Sequence, residues 1–177
     1  MQKRFQREVS ILQRVRHPHI VNVFDAGMLP GVGLYLVMEW LEGETLSDFV
    51  QKQPTKTLTL QQALPLFSQL LEGLSHFHDV GIVHRDLKPQ NIMITHSGLL
   101  PSVKILDFGI GYLLNEFQNN HYLELTVDRE YIGSPAYSSP EQLLGKEITF
   151  SSDIYSWGLI TLECITGKAV FSGTSIG

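Results

Sequence analysis

The feature that most constrains this chain is an eight-residue polar stretch, His84–Asn91, which reads HRDLKPQN. A second acidic turn, Asp107-Phe108-Gly109, begins sixteen residues after Asn91. An acid that can take a hydroxyl proton, a lysine beside it, an amide oxygen and a second acid on a short turn are the groups that phosphoryl transfer from ATP requires. A fixed triplet occurs by chance at roughly one position in several thousand, so the argument depends on the order of these groups along the chain.

The composition limits the class of fold and of function. A length of 177 residues fits one domain. With 13 basic and 18 acidic residues the net charge is −5, and no basic cluster supports nucleic-acid binding. The single cysteine, Cys164, cannot form an internal disulfide, and its apolar neighbours predict a buried, inert thiol. No apolar stretch approaches the length of a membrane span or a signal-peptide core, so we expect a cytoplasmic chain without a membrane segment.

The hydrophobic pattern predicts a mixed α+β chain. Apolar residues at helical spacing from Phe5 to Val15 indicate an amphipathic helix, and Thr59 is a plausible N-cap for a long helix that ends at Gly81. A surface loop is expected over Gln51–Thr59. The last helix, Asp153–Thr166, is apolar nearly all round and is therefore expected to be central and buried. Four short strands are predicted over Ile20–Phe24, Leu34–Met38, Ile92–Ile94 and Val103–Leu106.

Further motifs follow in order. Gly133-Ser134-Pro135 leads into Ser139-Pro140-Glu141, and Asp153 stands four residues before Trp157-Gly158. With these motifs the chain resembles the eukaryotic-type (Hanks-type) serine/threonine protein kinase family, and its bacterial members in particular, from about Phe5 to the last residue. The resemblance implies an incomplete two-lobed kinase fold. Residues 1–38 are the remainder of an N-lobe without its first three strands, 39–41 are the hinge, and 42–177 are a C-lobe that ends after its central buried helix.

The resemblance also implies catalytic roles and two cofactors, ATP and Mg²⁺. Asp86 is expected to accept or orient the proton of the substrate hydroxyl, and Lys88 to neutralise charge on the transferring group, a pattern of serine/threonine rather than tyrosine kinases. Asn91 and Asp107 offer the hard oxygen ligands that Mg²⁺ prefers. The alternatives are a loop-capping aspartate at Asp86 and a solvated surface lysine at Lys88.

The expected nucleotide-base site lies at the hinge. The backbone carbonyl of Glu39 and the N–H of Leu41 are expected to meet adenine, Met38 to gate the pocket behind it, and Met93 to lie under the purine ring. Ordinary core packing is an alternative for both methionines, and it is compatible with an apolar adenine pocket. Glu44 is a candidate contact to the ribose, although a glutamate at a helix start is also common.

Other family positions are structural or regulatory. Phe108 and Gly109 belong to the metal-binding turn, and Asp153 is expected to accept hydrogen bonds from the catalytic-loop backbone. Ser134 is expected to bond to Asp86 and Lys88. The stacked apolar column of the family corresponds to Leu12, Val23, His84 and Phe108, which makes His84 structural and not a base.

The remaining family positions are Glu8, Glu141, Arg85 and Thr126. Glu8 matches the helix glutamate whose lysine partner, together with the glycine-rich loop, lies outside this chain, and Glu141 matches the acid whose arginine partner does so too. Arg85 marks family members that are switched by a phosphate on the activation segment. Thr126, eight residues before Ser134, is the best acceptor for that phosphate.

We therefore expect a segment of a longer signalling protein that phosphorylates serine or threonine on a protein substrate. Residues 1–177 alone are expected to show no phosphotransfer, because the lysine and the glycine-rich loop are needed to orient the phosphates. The first alternative is an inactive pseudokinase or partner-binding module. A small-molecule phosphotransferase is a further alternative, disfavoured by the activation-segment motif from Gly133 to Glu141.

Overall fold

A computed structural model describes residues 13–29, 33–96, 100–106 and 135–171. Strands and helices both occur, as the α+β prediction requires. The strands are β1 (Val23–Leu29), β2 (Gly33–Met38), β3 (Gly43–Thr45), β4 (Ile92–Thr95) and β5 (Ser102–Ile105). The helices are α1 (Leu46–Gln51), α2 (Leu60–Asp79), α3 (Pro140–Leu143) and α4 (Phe150–Thr166), with 3₁₀ turns at Pro89–Asn91 and Pro135–Tyr137.

The first sheet is an antiparallel hairpin of β1 and β2 with a register shift between Val23 and Asp25. The predicted strand over Ile20–Phe24 is wrong at both ends, because β1 begins at Val23 and continues to Leu29. Ile20 and Val21 are apolar for a different reason. Both are almost fully buried against β5, where Ile20 bridges Ile105 and the N–H of Val21 donates to the Ile105 carbonyl at 3.0 Å.

The second sheet has the order β3-β4-β5 and is antiparallel throughout. Strand β4 extends one residue past the predicted Ile92–Ile94. Strand β5 is shifted by one residue from the predicted Val103–Leu106, since it begins at Ser102 and ends at Ile105. Gly43 allows β3 to approach β4 closely, since a Cβ at this position would overlap the backbone carbonyl of Ile94. The alternation of buried and partly exposed residues along β4 and β5 gives the sheet one core face and one face toward the hinge.

The long helix α2 packs one face on this sheet. Thr59 is its N-cap, as predicted, and it forms a capping box with Gln62. Gly73 lies where the helix approaches β5, so that a Cβ there would lie 2.7 Å from the Cδ1 atom of Ile105. The helix ends at Asp79, and Gly81 turns the chain with a φ of +79°.

Helix α4 begins at Phe150, three residues before the predicted start at Asp153. The prediction that this helix is central and buried holds for one side of the helix only, because Ile154 and Leu162 are exposed at 44% and 51%. Its buried side packs against α2, where the indole N–H of Trp157 donates to the Phe67 carbonyl at 3.2 Å. The predicted loop over Gln51–Thr59 is confirmed from Lys52 onward, since Gln51 is still the last residue of α1.

Several predictions fall outside the described residues. These are most of the helix predicted from Phe5 to Val15 and the site positions Glu8, Leu12, Asp107, Phe108, Gly109, Thr126 and Ser134.

Candidate active site

The polar stretch from His84 to Asn91 connects α2 to β4 and ends in a 3₁₀ turn. Asn91, in that turn, accepts a hydrogen bond at its backbone carbonyl from the N–H of Leu106, at 2.8 Å. Leu106 follows β5 and is the residue immediately before Asp107. The fold therefore brings the segment that leads to the second acidic turn alongside the catalytic loop.

Within this loop, Asp86, Lys88 and Asn91 lie together. The Lys88 ammonium is 2.8 Å from Oδ2 of Asp86. The Asn91 Nδ2 group donates to the backbone carbonyl of Asp86 at 2.8 Å and to the same Oδ2 at 3.1 Å. The side chain of Asp86 is 38% exposed. One carboxylate oxygen is thus fixed by two donors, while the side chain as a whole stays accessible to a substrate.

The amide oxygen of Asn91 is a candidate metal ligand. Because Nδ2 is committed to Asp86, the Oδ1 atom points elsewhere, and it accepts no hydrogen bond from any of the described residues. An amide oxygen is a ligand type that Mg²⁺ accepts. Asn91 therefore offers one oxygen ligand among the described residues, while Asp107, the expected carboxylate ligand, lies outside them.

His84 is fully buried and acts as an internal brace. Its Nε2 atom is 2.8 Å from the carbonyl of Leu106, so Nε2 carries the proton and Nδ1 can accept the N–H of Asp86 at 3.4 Å. Its ring also meets Phe77 edge-on, with the ring centroids 6.4 Å apart. Val23, the other described member of the predicted column, is fully buried as well. A ring held in this way has no access to a substrate proton.

Asp153 is 1% exposed and binds the backbone that precedes Asp86. Its Oδ2 atom accepts the N–H of His84 at 2.9 Å, and its Oδ1 atom accepts the N–H of Arg85 at 3.0 Å. A third donor is the ring of His78 on α2, whose Nε2 is 2.8 Å from Oδ2. Arg85 has a φ of +69°, in the left-handed region. The buried carboxylate therefore anchors the loop at a strained residue.

The hinge segment follows β2. The Glu39 carboxylate accepts from the backbone N–H and the side-chain amide of Asn22 at 2.8 and 3.1 Å, and from Lys104 on β5 at 2.6 Å. The backbone N–H of Glu39 donates to the Asn22 carbonyl at 2.9 Å. In contrast, neither the Glu39 carbonyl nor the Leu41 N–H has a hydrogen-bond partner within the described part of the chain. These are the two groups expected to meet adenine.

Met93 and Lys104 share one face of the second sheet, since they are paired across β4 and β5. Lys104 reaches from this face to the hinge, so Met93 also lies on the hinge side. Glu44 is paired with Ile94 and lies on the opposite face, where its carboxylate is 2.8 Å from Lys52. The structure therefore groups Met93 with the hinge and separates Glu44 from it. Met38, at the end of β2, is 36% exposed.

Glu141 lies at the start of α3 and accepts a hydrogen bond from the hydroxyl of Ser152. This bond, together with one from its own backbone, lowers the pKa of the carboxyl below its usual value. The carboxylate is consequently charged at neutral pH and available to a cationic partner.

Three residues near the site had no predicted role: His78, Lys104 and Gln142. His78 and Lys104 are one histidine and one lysine without a distinctive spacing, so their contacts depend on the tertiary fold. Gln142 did carry a signal, because Ser139 and Gln142 have the S-x-x-Q spacing of a capping box at the start of a helix.

Comparison with known proteins decides the family. The model of the protein kinase domain matches residues 1–176. The chain belongs to the protein kinase family. Its relatives are bacterial serine/threonine kinases. The serine/threonine-protein kinase pkn2 of Myxococcus xanthus is 40% identical over 173 residues, which are 98% of this chain and 20% of that protein. PrkC of Bacillus subtilis is 36% identical over 173 residues, with 98% of this chain and 25% of that protein covered.

Solved structures agree on the fold. The crystal structure of the PknI kinase domain of Mycobacterium tuberculosis superposes with a TM-score of 0.76 at 24% identity, covering 99% of this chain and 61% of that one. This kinase chain thus corresponds to part of a kinase-like fold. It spans 20% of the length of pkn2 and 26% of a PknB relative from Lactococcus lactis. Among its described helices, none has the length and hydrophobicity to cross a membrane.

Proposed function

We propose that this chain is the central segment of a serine/threonine protein kinase that transfers the γ-phosphoryl group of MgATP to a hydroxyl of a protein substrate. The observation that carries the proposal is the geometry at Asp86, whose carboxylate is held by Lys88 and Asn91 yet stays partly exposed. The names of the relatives support the choice of serine/threonine over tyrosine, as does the lysine at position 88.

Asp86 orients the substrate hydroxyl and takes its proton as the oxygen attacks the γ-phosphorus. General-base assistance of this kind is typically worth about 10² to 10⁴ in rate. The bond from phosphorus to the bridging oxygen breaks, and ADP leaves with that oxygen. Lys88, which is already 2.8 Å from Asp86, is close enough to stabilise negative charge on the transferring group.

Asn91 and Asp107 would hold the metal. A bound Mg²⁺ would supply charge neutralisation at the phosphate oxygens. The Asn91 amide is oriented for this by its two bonds to Asp86, which leave Oδ1 for the ion. The N–H of Leu106, the residue before Asp107, donates to the Asn91 carbonyl at 2.8 Å, which supports a role for both acidic-turn and catalytic-loop ligands at one ion.

The base of the nucleotide binds at the hinge. The Glu39 carbonyl and the Leu41 N–H are the acceptor and donor for adenine, and Met93 is the apolar floor beneath it. Met38, at the end of β2, is the gate to the space behind the base. Glu44 takes no part in this proposal, because its carboxylate is on the opposite face with Lys52.

The segment acts as part of a longer signalling protein that supplies the phosphate-orienting lysine and the glycine-rich loop. Its chemistry requires a compartment that provides ATP and Mg²⁺, and we expect the cytoplasm. Control is expected at Thr126, whose phosphate would pair with Arg85.

The test uses the longer protein that contains residues 1–177, with Asp86→Asn and Asp107→Ala made separately. Both variants should lose phosphotransfer to a protein substrate. Calorimetry should separate them, since Asp107→Ala should weaken Mg²⁺-dependent ATP binding while Asp86→Asn should bind MgATP almost as tightly as the unchanged protein. Lys52→Met, whose ammonium contacts Glu44 on the face of the sheet opposite Met93, is the control and should keep both properties. Phosphotransfer that survives both acid substitutions would refute the mechanism, and ATP binding without transfer in the unchanged protein would favour a pseudokinase.

A further inference from the structure

The backbone at Arg85 needs an explanation beyond the catalytic groups themselves. A φ of +69° puts a residue with a long side chain in the left-handed region. Such a conformation costs on the order of 1–3 kcal/mol, and it persists only where neighbouring contacts impose it. Arg85 directly precedes Asp86, so whatever imposes its conformation also sets the direction of the Asp86 side chain.

Two side chains hold Arg85, one on each of its peptide groups. Asp153 of α4 accepts the Arg85 N–H at 3.0 Å. Gln142 of α3 donates from Nε2 to the Arg85 carbonyl at 2.6 Å. The second contact is the one closer to the chemistry, because the Arg85 carbonyl belongs to the planar peptide unit that continues into Asp86.

The orientation of the Gln142 amide is fixed by its other contacts. Its Oε1 atom accepts the backbone N–H of Ser139 at 3.0 Å and the Ser139 hydroxyl at 3.1 Å. The Arg85 carbonyl can only accept a hydrogen bond, and the Ser139 N–H can only donate one. The Gln142 amide therefore satisfies both groups in one orientation alone. One side chain therefore caps the start of α3 and holds the catalytic loop.

We propose that Gln142 is a positioning residue for Asp86, and that through it the start of α3 is coupled to the catalytic loop. This inference rests on the proposed phosphotransfer. When the bond to the Arg85 carbonyl is lost, the Arg85–Asp86 peptide keeps the long 3.4 Å contact of the Asp86 N–H with His84 Nδ1 but can rotate more easily toward a less strained conformation. The Asp86 carboxylate then moves relative to the substrate hydroxyl, although Lys88 and Asn91 still contact it.

Three variants separate the two bonds of Gln142. Gln142→Glu keeps an oxygen for Ser139, because glutamate serves at this position of a capping box as well as glutamine does, but it places a carboxylate beside the Arg85 carbonyl. Ser139→Ala removes one cap bond and keeps the amide donor to Arg85. Gln142→Met has a similar shape and loses both interactions.

The variants are made in the longer protein, and kcat and KM for ATP are measured with a protein substrate. Gln142→Glu and Gln142→Met should lower kcat by roughly 10- to 100-fold, as small misplacement of a reacting group does, and leave KM for ATP within about two-fold. Ser139→Ala should keep kcat within about two-fold. A general loss of structure would instead raise KM and lower kcat together. The proposal is overturned if Gln142→Glu keeps the unchanged kcat, or if Ser139→Ala lowers kcat as much as Gln142→Glu does.

A second readout keeps the inference testable if the protein proves to have no kinase activity. Amide hydrogen exchange is followed over residues 84–91 and, separately, over residues 139–144. Gln142→Glu should speed exchange in the first segment, and Ser139→Ala should speed it only in the second. Unchanged exchange over residues 84–91 in Gln142→Glu would refute the coupling between Gln142 and the catalytic loop. Faster exchange there, in a protein without kinase activity, would refute the proposed function alone.

Discussion

The ammonium of Lys104 lies 2.6 Å from Oε1 of Glu39, and the two side chains are 16% and 22% exposed. The contact joins the strand that precedes Asp107 to the hinge. Removing one partner of a shielded ion pair leaves the other charge without compensation. Lys104→Met should therefore lower the free energy of unfolding by about 1–3 kcal/mol, between the values for exposed and fully buried pairs, as measured by urea unfolding.

The matched control for this prediction is the pair of Lys52 and Glu44. Its distance is 2.8 Å, but the Lys52 side chain is 69% exposed. Lys52→Met should change the free energy of unfolding much less than Lys104→Met does, because water screens the exposed ammonium. Equal effects of the two substitutions would mean that the Lys104–Glu39 contact stabilises the fold no more than the Lys52–Glu44 contact does.

Gly43 should be intolerant of a side chain. A Cβ there would overlap the Ile94 carbonyl, which forces β3 away from β4. Gly43→Ala should destabilise the protein by about 3 kcal/mol, the upper range for overpacking. Gly158→Ala in α4 is the control, since no described atom outside its chain neighbours and its own helix backbone lies within 4 Å of the Cβ position, and it should stabilise by roughly 0.5–1 kcal/mol. Both are read from urea or thermal unfolding, and a neutral Gly43→Ala would contradict the close strand approach.

A cluster of three histidines should make stability depend on pH. The ring of His17 lies 5.1 Å from that of His76 and 5.5 Å from that of His19. Burial lowers the pKa of His17 below 6.5, and His19, His76 and, to a smaller extent, Lys104 lower it further, against the opposing charge of Glu72. Below pH 6.5 the unfolded chain binds more protons at His17 than the folded chain does. The free energy of unfolding is therefore fully retained above pH 6.5 and falls on acidification.

Urea unfolding between pH 7.5 and 5.0 tests the cluster. The free energy of unfolding should fall more steeply with acidification in the unchanged protein than in His17→Gln, which lacks the titrating ring. His76→Gln removes one neighbour and should give an intermediate slope. Identical slopes in all three proteins would show that the histidine cluster does not contribute to the pH dependence of the free energy of unfolding.

Cys164 should resist alkylation. It is 2% exposed, and burial followed by the charge of Glu163 raises its thiol pKa to about 12. Because the thiolate is the reactive form, iodoacetamide at pH 8 should label the folded protein more than about 100-fold more slowly than the urea-unfolded one. Mass spectrometry follows the reaction, and rapid labelling of folded protein would contradict the burial.

The features that were predictable from sequence are those fixed by local chemistry. Thr59 is predictable as an N-cap because its hydroxyl acts on residues within one turn. The strand over Leu34–Met38 is predicted to within one residue of β2 because it is a short apolar run preceded by glycines and a proline. The strand over Ile20–Phe24 failed for the opposite reason. Ile20 and Val21 are apolar because they pack on β5, more than 80 residues away, and a run of apolar residues does not reveal which surface covers it.

The candidate site shows the same division. Asp86, Lys88 and Asn91 are recognisable because a span of six residues contains all three, and they do lie together. Glu44 was assigned to the ribose without knowledge of the register, which places it opposite Ile94 and away from Met93. Likewise, nothing near Arg85 in the sequence predicts a left-handed residue there. Its partners Asp153 and Gln142 are 68 and 57 residues away.

That separation has a consequence for synthesis of the chain. The ribosome makes the catalytic loop well before it makes Gln142 and Asp153, so during that interval neither of these side chains can hold Arg85 in the left-handed conformation. Non-local contacts of this kind form late, because the intervening chain must first be ordered. A nascent chain that ends before α3 therefore carries the proposed catalytic residues Asp86, Lys88 and Asn91 without the contacts of Gln142 and Asp153 that hold Arg85.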